Sequence, residues 1–363
     1  MKIKTITCHD VYNHGASLQA FALQNYLSCL GHDIEIIDYK PNYLSRHYDF
    51  FYVSNPRWNK YIVLKIIYLV LKLPMRLLAL KKKRSFDKFR DSYLYLTAKR
   101  YNTNKELQDS LPEADLFIAG SDQIWNTLYP NGKDAAFYLN FVPKRYRKLS
   151  YAASFATSTI AEQYKDFVCK QLCNFDSISV REEDGLRLLE ELGHKGIWVC
   201  DPVFLLSTTE WDKIIERPFN EKYIIIYDFE RTPLIEKVAK QIAKKNGWKI
   251  YTINVFLAYA NKCFTYSGPQ DFVSLIKNAQ LIISNSFHAT AFSVIYEKEF
   301  FVVPRKEGIN TRMASLLSYL EIPDRMITTN EFKYERIDYN KVRVKMNAYI
   351  AQSKKFLKDN IIL

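Results

Sequence analysis

The chain has 363 residues, 48% hydrophobic and 25% charged, with a formal net charge of +13. That length suits two domains, and that composition excludes a disordered or fibrous protein. The basic balance is local: residues 56–105 carry fourteen Lys or Arg against two Asp, so a chain-wide nucleic-acid surface is not implied, and no recognition motif accompanies the charge.

Strand-like and helical patterns alternate along the chain, which predicts a parallel α/β architecture. "KIKTITC" reads as a strand, "HDVYNHG" as a polar loop, "ASLQAFALQNYLSCL" as an amphipathic helix closed by Gly31, and "DIEIIDY" as the next strand. A basic insertion is expected over about 41–110. Within it, residues 61–84 are apolar as far as Leu80, interrupted by Lys65, Lys72 and Arg76, and end on the basic run Lys81 to Arg84. Those charges and Pro74 oppose a spanning helix, leaving a basic amphipathic surface for anionic lipid or a core helix with a solvated edge.

"ADLFIAG" and "KLSYAASFA" are predicted strands, and residues 176–180 another, followed by a helix opening at Glu182, Glu183 and Asp184 and closed by Gly193. "GIWVCDP" is a further strand, and "VFLLSTTEW" reads as the crossover between halves. A second set comprises "YIIIYDF", "GWKIYTINV", "AQLIISNSF" and "KEFFVVP", and a last helix is expected over 347–361. The resulting expectation is two doubly wound Rossmann-type domains facing across a cleft. Residues 1–205 would form the first, 206–345 the second, and 346–363 a C-terminal helix.

The six cysteines are scattered and form no CxxC pair, so zinc ribbons and thioredoxin chemistry are not expected. The N-terminus enters a strand without an apolar signal segment. A cytoplasmic protein with reduced thiols is therefore expected, peripheral on the inner membrane face if the basic segment binds lipid.

In doubly wound sheets, ligands sit outside the carboxyl ends of the strands. Four polar loops occupy such positions: "CHDVYNHG", "AGSDQIWN", "SVREEDG" and "SNSFHAT". His288 falls in the first turn of a helix beginning near Ser286, beside free backbone N–H groups. It fits an anion-facing or proton-transferring histidine, and equally one that caps a strand and packs. Ser284, Asn285 and Ser286 add polar donors in the same loop. Arg181 offers a planar fork for phosphate or carboxylate, or else a salt bridge to Glu182, Glu183 or Asp201. Asp122 fits a general base or a turn cap. Asn13, His14 and Gly15 fit an acceptor-binding loop or ordinary capping, and Arg305, Lys306 and Arg312 add positive charge after the last strand. No GxGxxG, P-loop, GxSxG or HExxH pattern occurs.

In their order along the chain, "LQAFALQNYL", "FIAGSDQIWN", "LSYAASFA", "ISVREEDGLRLLEELG…VCDPVFLL" and "IISNSFHATAFSVIYEKEF" resemble the polysaccharide pyruvyl transferases. The resemblance covers about residues 1–40 and 111–320 and leaves the basic segment unexplained. It implies a GT-B-like pair of domains, phosphoenolpyruvate as donor and a saccharide acceptor, lipid-linked in one version. It also implies an enolpyruvyl transfer that ends in a pyruvate ketal and released phosphate, with no metal and no cofactor beyond that co-substrate. Carried over, Arg181 and His288 would hold the donor, with Ser284, Asn285, Ser286 and Arg312 around it. His288 would also assist proton transfer, with Asp122 as base. Asn13, His14, Gly15, Asp122 and Gln123 would face the acceptor. The sequence departs from the pattern at Phe287 and His14. The alternative is a glycosyltransferase on the same fold using a nucleotide-sugar donor.

Overall fold

The computed structural model describes residues 1–44, 51–53, 55–215, 217–306, 308–331 and 334–361. Its strands are β1 (Lys2–Ile6), β2 (Asp33–Tyr39), β3 (Leu96–Tyr101), β4 (Leu116–Ala119), β5 (Arg147–Ser150), β6 (Ser179–Val180), β7 (Ile197–Trp198), β8 (Tyr223–Tyr227), β9 (Lys249–Ile253), β10 (Lys262–Phe264), β11 (Leu281–Ser284) and β12 (Glu299–Val302). Its α-helices are α1 (His14–Cys29), α2 (Pro56–Asn59), α3 (Ile62–Tyr93), α4 (Asn104–Asp109), α5 (Glu162–Leu172), α6 (Glu183–Glu191), α7 (Thr208–Asp212), α8 (Pro233–Asn246), α9 (Pro269–Asn278), α10 (Phe287–Ile295), α11 (Thr311–Tyr319) and α12 (Tyr339–Ile361).

Two five-stranded sheets form, in the orders β3-β2-β1-β4-β5 and β10-β9-β8-β11-β12, with every pair parallel. The β6–β7 pair extends the first sheet past β5 through bridges at Leu149–Ser177 and Ala153–Val180. The central strands are apolar runs because helices cover both faces: β8 reads YIIIY and is buried throughout. Asn13 opens α1 by accepting from the Gly15 and Ala16 N–H groups at 3.0 and 3.3 Å. Gly31, with φ +86°, takes the left-handed position just past its end.

Three sequence expectations change. The basic stretch 41–110 is not wholly an insertion, because its residues 96–101 form β3, the edge strand of the first sheet. The strand expected across "KLSYAASFA" stops at Ser150, where Ala152 and Ala156 turn the chain with φ of +53° and +60°. The terminal helix begins at Tyr339 rather than near 346, and residues 362–363 lie outside the described residues.

That helix docks on the first lobe. Ser353 Oγ accepts from the Cys200 N–H at 2.8 Å, and Asn360 receives hydrogen bonds from Arg147 and Ser177. One continuous apolar cluster joins Leu18 and Phe21 of α1, Trp211, Phe272 of α9 and Phe292 of α10. The lobes are therefore joined by core packing, which fixes the cleft between their carboxyl edges.

Candidate functional site

The loops after β1, β4 and β6 meet those after β8, β11 and β12. Between them lies a small cleft lined by Asn13, Asp122, Gln123, Phe229, Asn285, Ser286, Phe287, His288, Arg305, Ile309, Arg312 and Met313. The wall from the second lobe is the N-terminus of α10, capped at Ser286. The first N–H groups of a helix have no intrahelical partner and carry the positive end of its dipole, a setting suited to an anion.

The β11–α10 loop is held rigidly by its own polar groups. Ser284 Oγ donates to the Tyr227 carbonyl at 2.8 Å and accepts from the Ser286 N–H at 2.9 Å. Asn285 spans to the β8 loop, accepting from the Phe229 N–H at 3.0 Å and donating to Asp228 Oδ1 at 2.6 Å. Ser284 thus builds the loop rather than lining the cleft, whereas Asn285 and Ser286 do line it. The run Asp228–Phe229 was not singled out in the sequence, although it follows a buried strand as the other site loops do.

His288 is buried, and its ring lies against the start of α1. A Cβ added to Gly15 would come within 1.9 Å of His288 Nδ1, so glycine there is what gives the imidazole its space. On the other side, Nε2 stands 3.6 Å from Asp201 Oδ2 with no hydrogen-bond partner among the described residues. Gly15, expected on the acceptor, instead accommodates His288.

Beneath the cleft is a buried charge cluster. Arg181 donates to Asp201 at 2.6 Å and to Asp122 at 3.3 Å, and Asp122 lies 3.8 Å from Arg312 of the other lobe. The Arg181 and Arg312 guanidiniums sit 5.0 and 5.8 Å from the Phe287 ring. Burial alone would push the Asp201 carboxyl up, but the His288 and Arg181 charges outweigh it and hold it well below the usual range. Asp122 is also lowered: burial opposes, and Arg181, His288 and Arg312 prevail. Burial, reinforced by the Arg181 charge, brings Arg312 down to about 10. Glu182, fully buried, is pushed up by desolvation although its Oε1 accepts from Ser154, Phe155 and Ala156.

This cluster moves two expectations. Arg181 lies under the cleft with both terminal nitrogens on carboxylates, which is the Asp201 salt bridge left open in the sequence. Asp122 borders the cleft, but a carboxylate held low between arginines is a weak proton acceptor, better suited to orienting them. It adopts φ +75°, a strained backbone position.

His14 is also displaced from its expected role. Its ring stacks on Phe272 at 5.2 Å, and its nitrogens meet Tyr227 Oη at 3.0 Å and the Ser267 carbonyl at 3.1 Å. Burial, with the Lys82 charge adding to it, lowers His14 to about 3. It is an inter-lobe packing group, not an acceptor contact. Asn13 and Gln123 remain on the wall, with Gln123 Oε1 accepting from Asn126 at 2.8 Å. Among the described residues, no group of three or more His, Cys, Asp or Glu could hold a metal ion.

Comparison with solved structures gives the fold. A Listeria monocytogenes protein described as a UDP-N-acetylglucosamine 2-epimerase superposes with a TM-score of 0.50 at 7% identity, over 94% of each chain. The UDP-N-acetylglucosamine 2-epimerase of Rickettsia bellii gives 0.47 at 14% identity, covering 99% of this chain and 95% of its own. An α-glucosyltransferase bound to UDP and DNA gives 0.49 at 8% identity, covering 98% and 90%. The fold is GT-B-like, two Rossmann-type lobes with a cleft between them. None of the curated proteins compared matches the chain. The family model for polysaccharide pyruvyl transferases matches residues 13–307, a span that takes in the cleft wall except Ile309, Arg312 and Met313. The chain belongs to the polysaccharide pyruvyl transferase family and is a transferase.

Proposed function

We propose that this transferase moves the enolpyruvyl group of phosphoenolpyruvate onto sugar hydroxyls of a polysaccharide precursor. The observation that carries this reading is the convergence on one small cleft of a helix N-terminus, Arg312 and His288. Phosphoenolpyruvate bears a phosphate and a carboxylate, and its enol carbon needs a proton. A site for it therefore combines anion donors with an acid.

In this reading the phosphate lies against the α10 N-terminus and Ser286, with Arg312 beside it. His288 supplies the proton to the methylene carbon, which leaves the adjacent carbon cationic. A sugar hydroxyl oxygen bonds to that carbon and its proton returns to the now neutral His288; the bond to the phosphate oxygen then breaks, phosphate leaves with the electron pair, and the carbon is cationic again. A second hydroxyl of the same sugar bonds to it, loses its proton to the departing phosphate, and closes the ketal. Asp201 faces the His288 ring, and Asp122 holds Arg181 and Arg312 in place. Asn13 and Gln123, from the first lobe, stand where an acceptor would approach.

The test is phosphate release from phosphoenolpyruvate in the presence of oligosaccharide acceptors, with the product identified by mass. Acceptor-dependent release and a product carrying one pyruvate ketal are expected. Turnover of a UDP-sugar instead, with no phosphate from phosphoenolpyruvate, would replace this reading with glycosyl transfer.

A further inference from the structure

We propose that residues 62–84 of α3 form a docking face for an anionic phospholipid bilayer. α3 runs for 32 residues, and Phe86 and Phe89 are its buried residues, both near its C-terminal end. Before them the helix carries a row of exposed apolar side chains: Ile62, Val63, Ile66, Val70, Leu71 and Leu77, each between 51% and 70% exposed. Ile62, Val63, Ile66, Val70 and Leu77 recur at spacings of three, four and seven residues and so share one side of the helix, with Leu71 on its flank.

Another side is covered by the segment before it. Trp58 of α2 packs on Tyr68 with ring centroids 5.8 Å apart, and Arg76 donates to the Tyr52 carbonyl. The exposed row is thus the outer face of a small helical projection. Pro74 lies within the helix without ending it. The hydrogen bond it removes would have gone to the carbonyl of Val70, whose side chain is 61% exposed.

Charge identifies the occupant. Residues 51–86 contain nine Lys or Arg and no Asp or Glu. A second copy laid on this face would bring two basic, acid-free surfaces together with no carboxylate between them. An anionic bilayer supplies both missing halves: phosphate headgroups for Lys60, Lys65 and Lys72, and acyl chains for the apolar row. The helix does not enter as a span, since no helix of the described residues is long and apolar enough to cross a membrane.

The C-terminal turns of α3 tie this face to both lobes. Asp87 accepts from Tyr12 at 3.4 Å in the first, while Ser85 donates to the Tyr266 carbonyl at 2.7 Å and Tyr93 Oη accepts from Gln270 at 3.1 Å in the second. A bilayer held by α3 is therefore held at a fixed bearing to the cleft. The proposal rests on the helix alone and stands or falls without the donor chemistry.

Co-sedimentation of the full chain with vesicles tests it, in the absence of any substrate. Binding is expected to vesicles of equal parts phosphatidylglycerol and phosphatidylcholine, weakened by salt, and absent with phosphatidylcholine alone. Lys60→Glu/Lys65→Glu/Lys72→Glu should weaken it on the order of a hundredfold, and Ile66→Ser/Val70→Ser/Leu77→Ser should abolish it, both with an unchanged melting temperature. Wild-type protein left in the supernatant with anionic vesicles would overturn the proposal. So would charge-reversed protein that binds as tightly as the wild type, or a wild-type dimer in sedimentation velocity that the serine variant dissociates.

Discussion

Two histidines open helices at the carboxyl edges of the two sheets, His14 at the start of α1 and His288 at the start of α10. By sequence their settings match: a strand, a polar loop, a histidine in the first helical turn. Their surroundings differ entirely. Phe86, Tyr227 and Phe272 pack around His14 and both of its nitrogens have partners, so it stays neutral and fixed. His288 meets a glycine, a buried carboxylate and an open cleft. A helix N-terminus supplies the donors, but the opposite lobe decides whether the histidine there packs or reacts.

Substitution at each position gives the largest separation. His288→Ala should lower phosphate release by about 10²–10⁴-fold, the range for a general acid. His14→Phe should keep turnover within a few-fold, since a ring of similar shape fills the same aromatic box. Equal losses in the two variants would erase the distinction. Arg181→Met attacks the floor of the cluster. Leaving Asp201 without its 2.6 Å partner should cost about 3–5 kcal/mol of stability, read in a denaturant melt. An unaltered melt with a selective rise in the donor KM would put Arg181 on the ligand instead.

Gly15→Ala tests the contact that joins the two helix starts. Its Cβ would fall on the imidazole of His288, and the displacement should cost about 1–3 kcal/mol of stability together with most of the turnover. Retained activity would mean that His288 does not need that space.

The smallest effect is a pH dependence. The folded His14 titrates at about 3, against 6.5 for the free side chain. Below pH 6.5 the unfolded chain binds a proton that the folded chain refuses until about pH 3. Stability from this group is therefore present above pH 6.5 and falls as the pH falls through that window, by about 2 kcal/mol between 6.5 and 5. His14→Phe should flatten that part of the curve, whereas an unchanged slope would assign it to other groups.

Most of the strands could be read from the sequence because a buried parallel strand is an apolar run: "YIIIY" and "LIIS" have no other good reading. Strand β3, "LTAKRY", escaped because an edge strand needs little burial, and its Ala98, Lys99 and Arg100 face solvent. The cleft was legible as a set of loops, and His288, Asp122, Asn13, Gln123, Asn285, Ser286 and Arg312 do meet there. What each one faces was not legible. The partners of His14 lie 213 and 253 residues away, and the space for His288 is made by a glycine in the other lobe. Arg181 showed the limit most clearly: its fork suits phosphate or carboxylate equally, and the fold supplied two carboxylates.

In the proposed reaction, the cleft between His288 and Arg312 holds phosphoenolpyruvate. Calorimetric titration of phosphoenolpyruvate into wild-type protein and Arg312→Met measures this directly. Saturable one-site binding to the wild type is expected, weakened about tenfold or more in the variant by the lost charged hydrogen bond. Equal affinity in the two proteins, or no binding to the wild type, would contradict it.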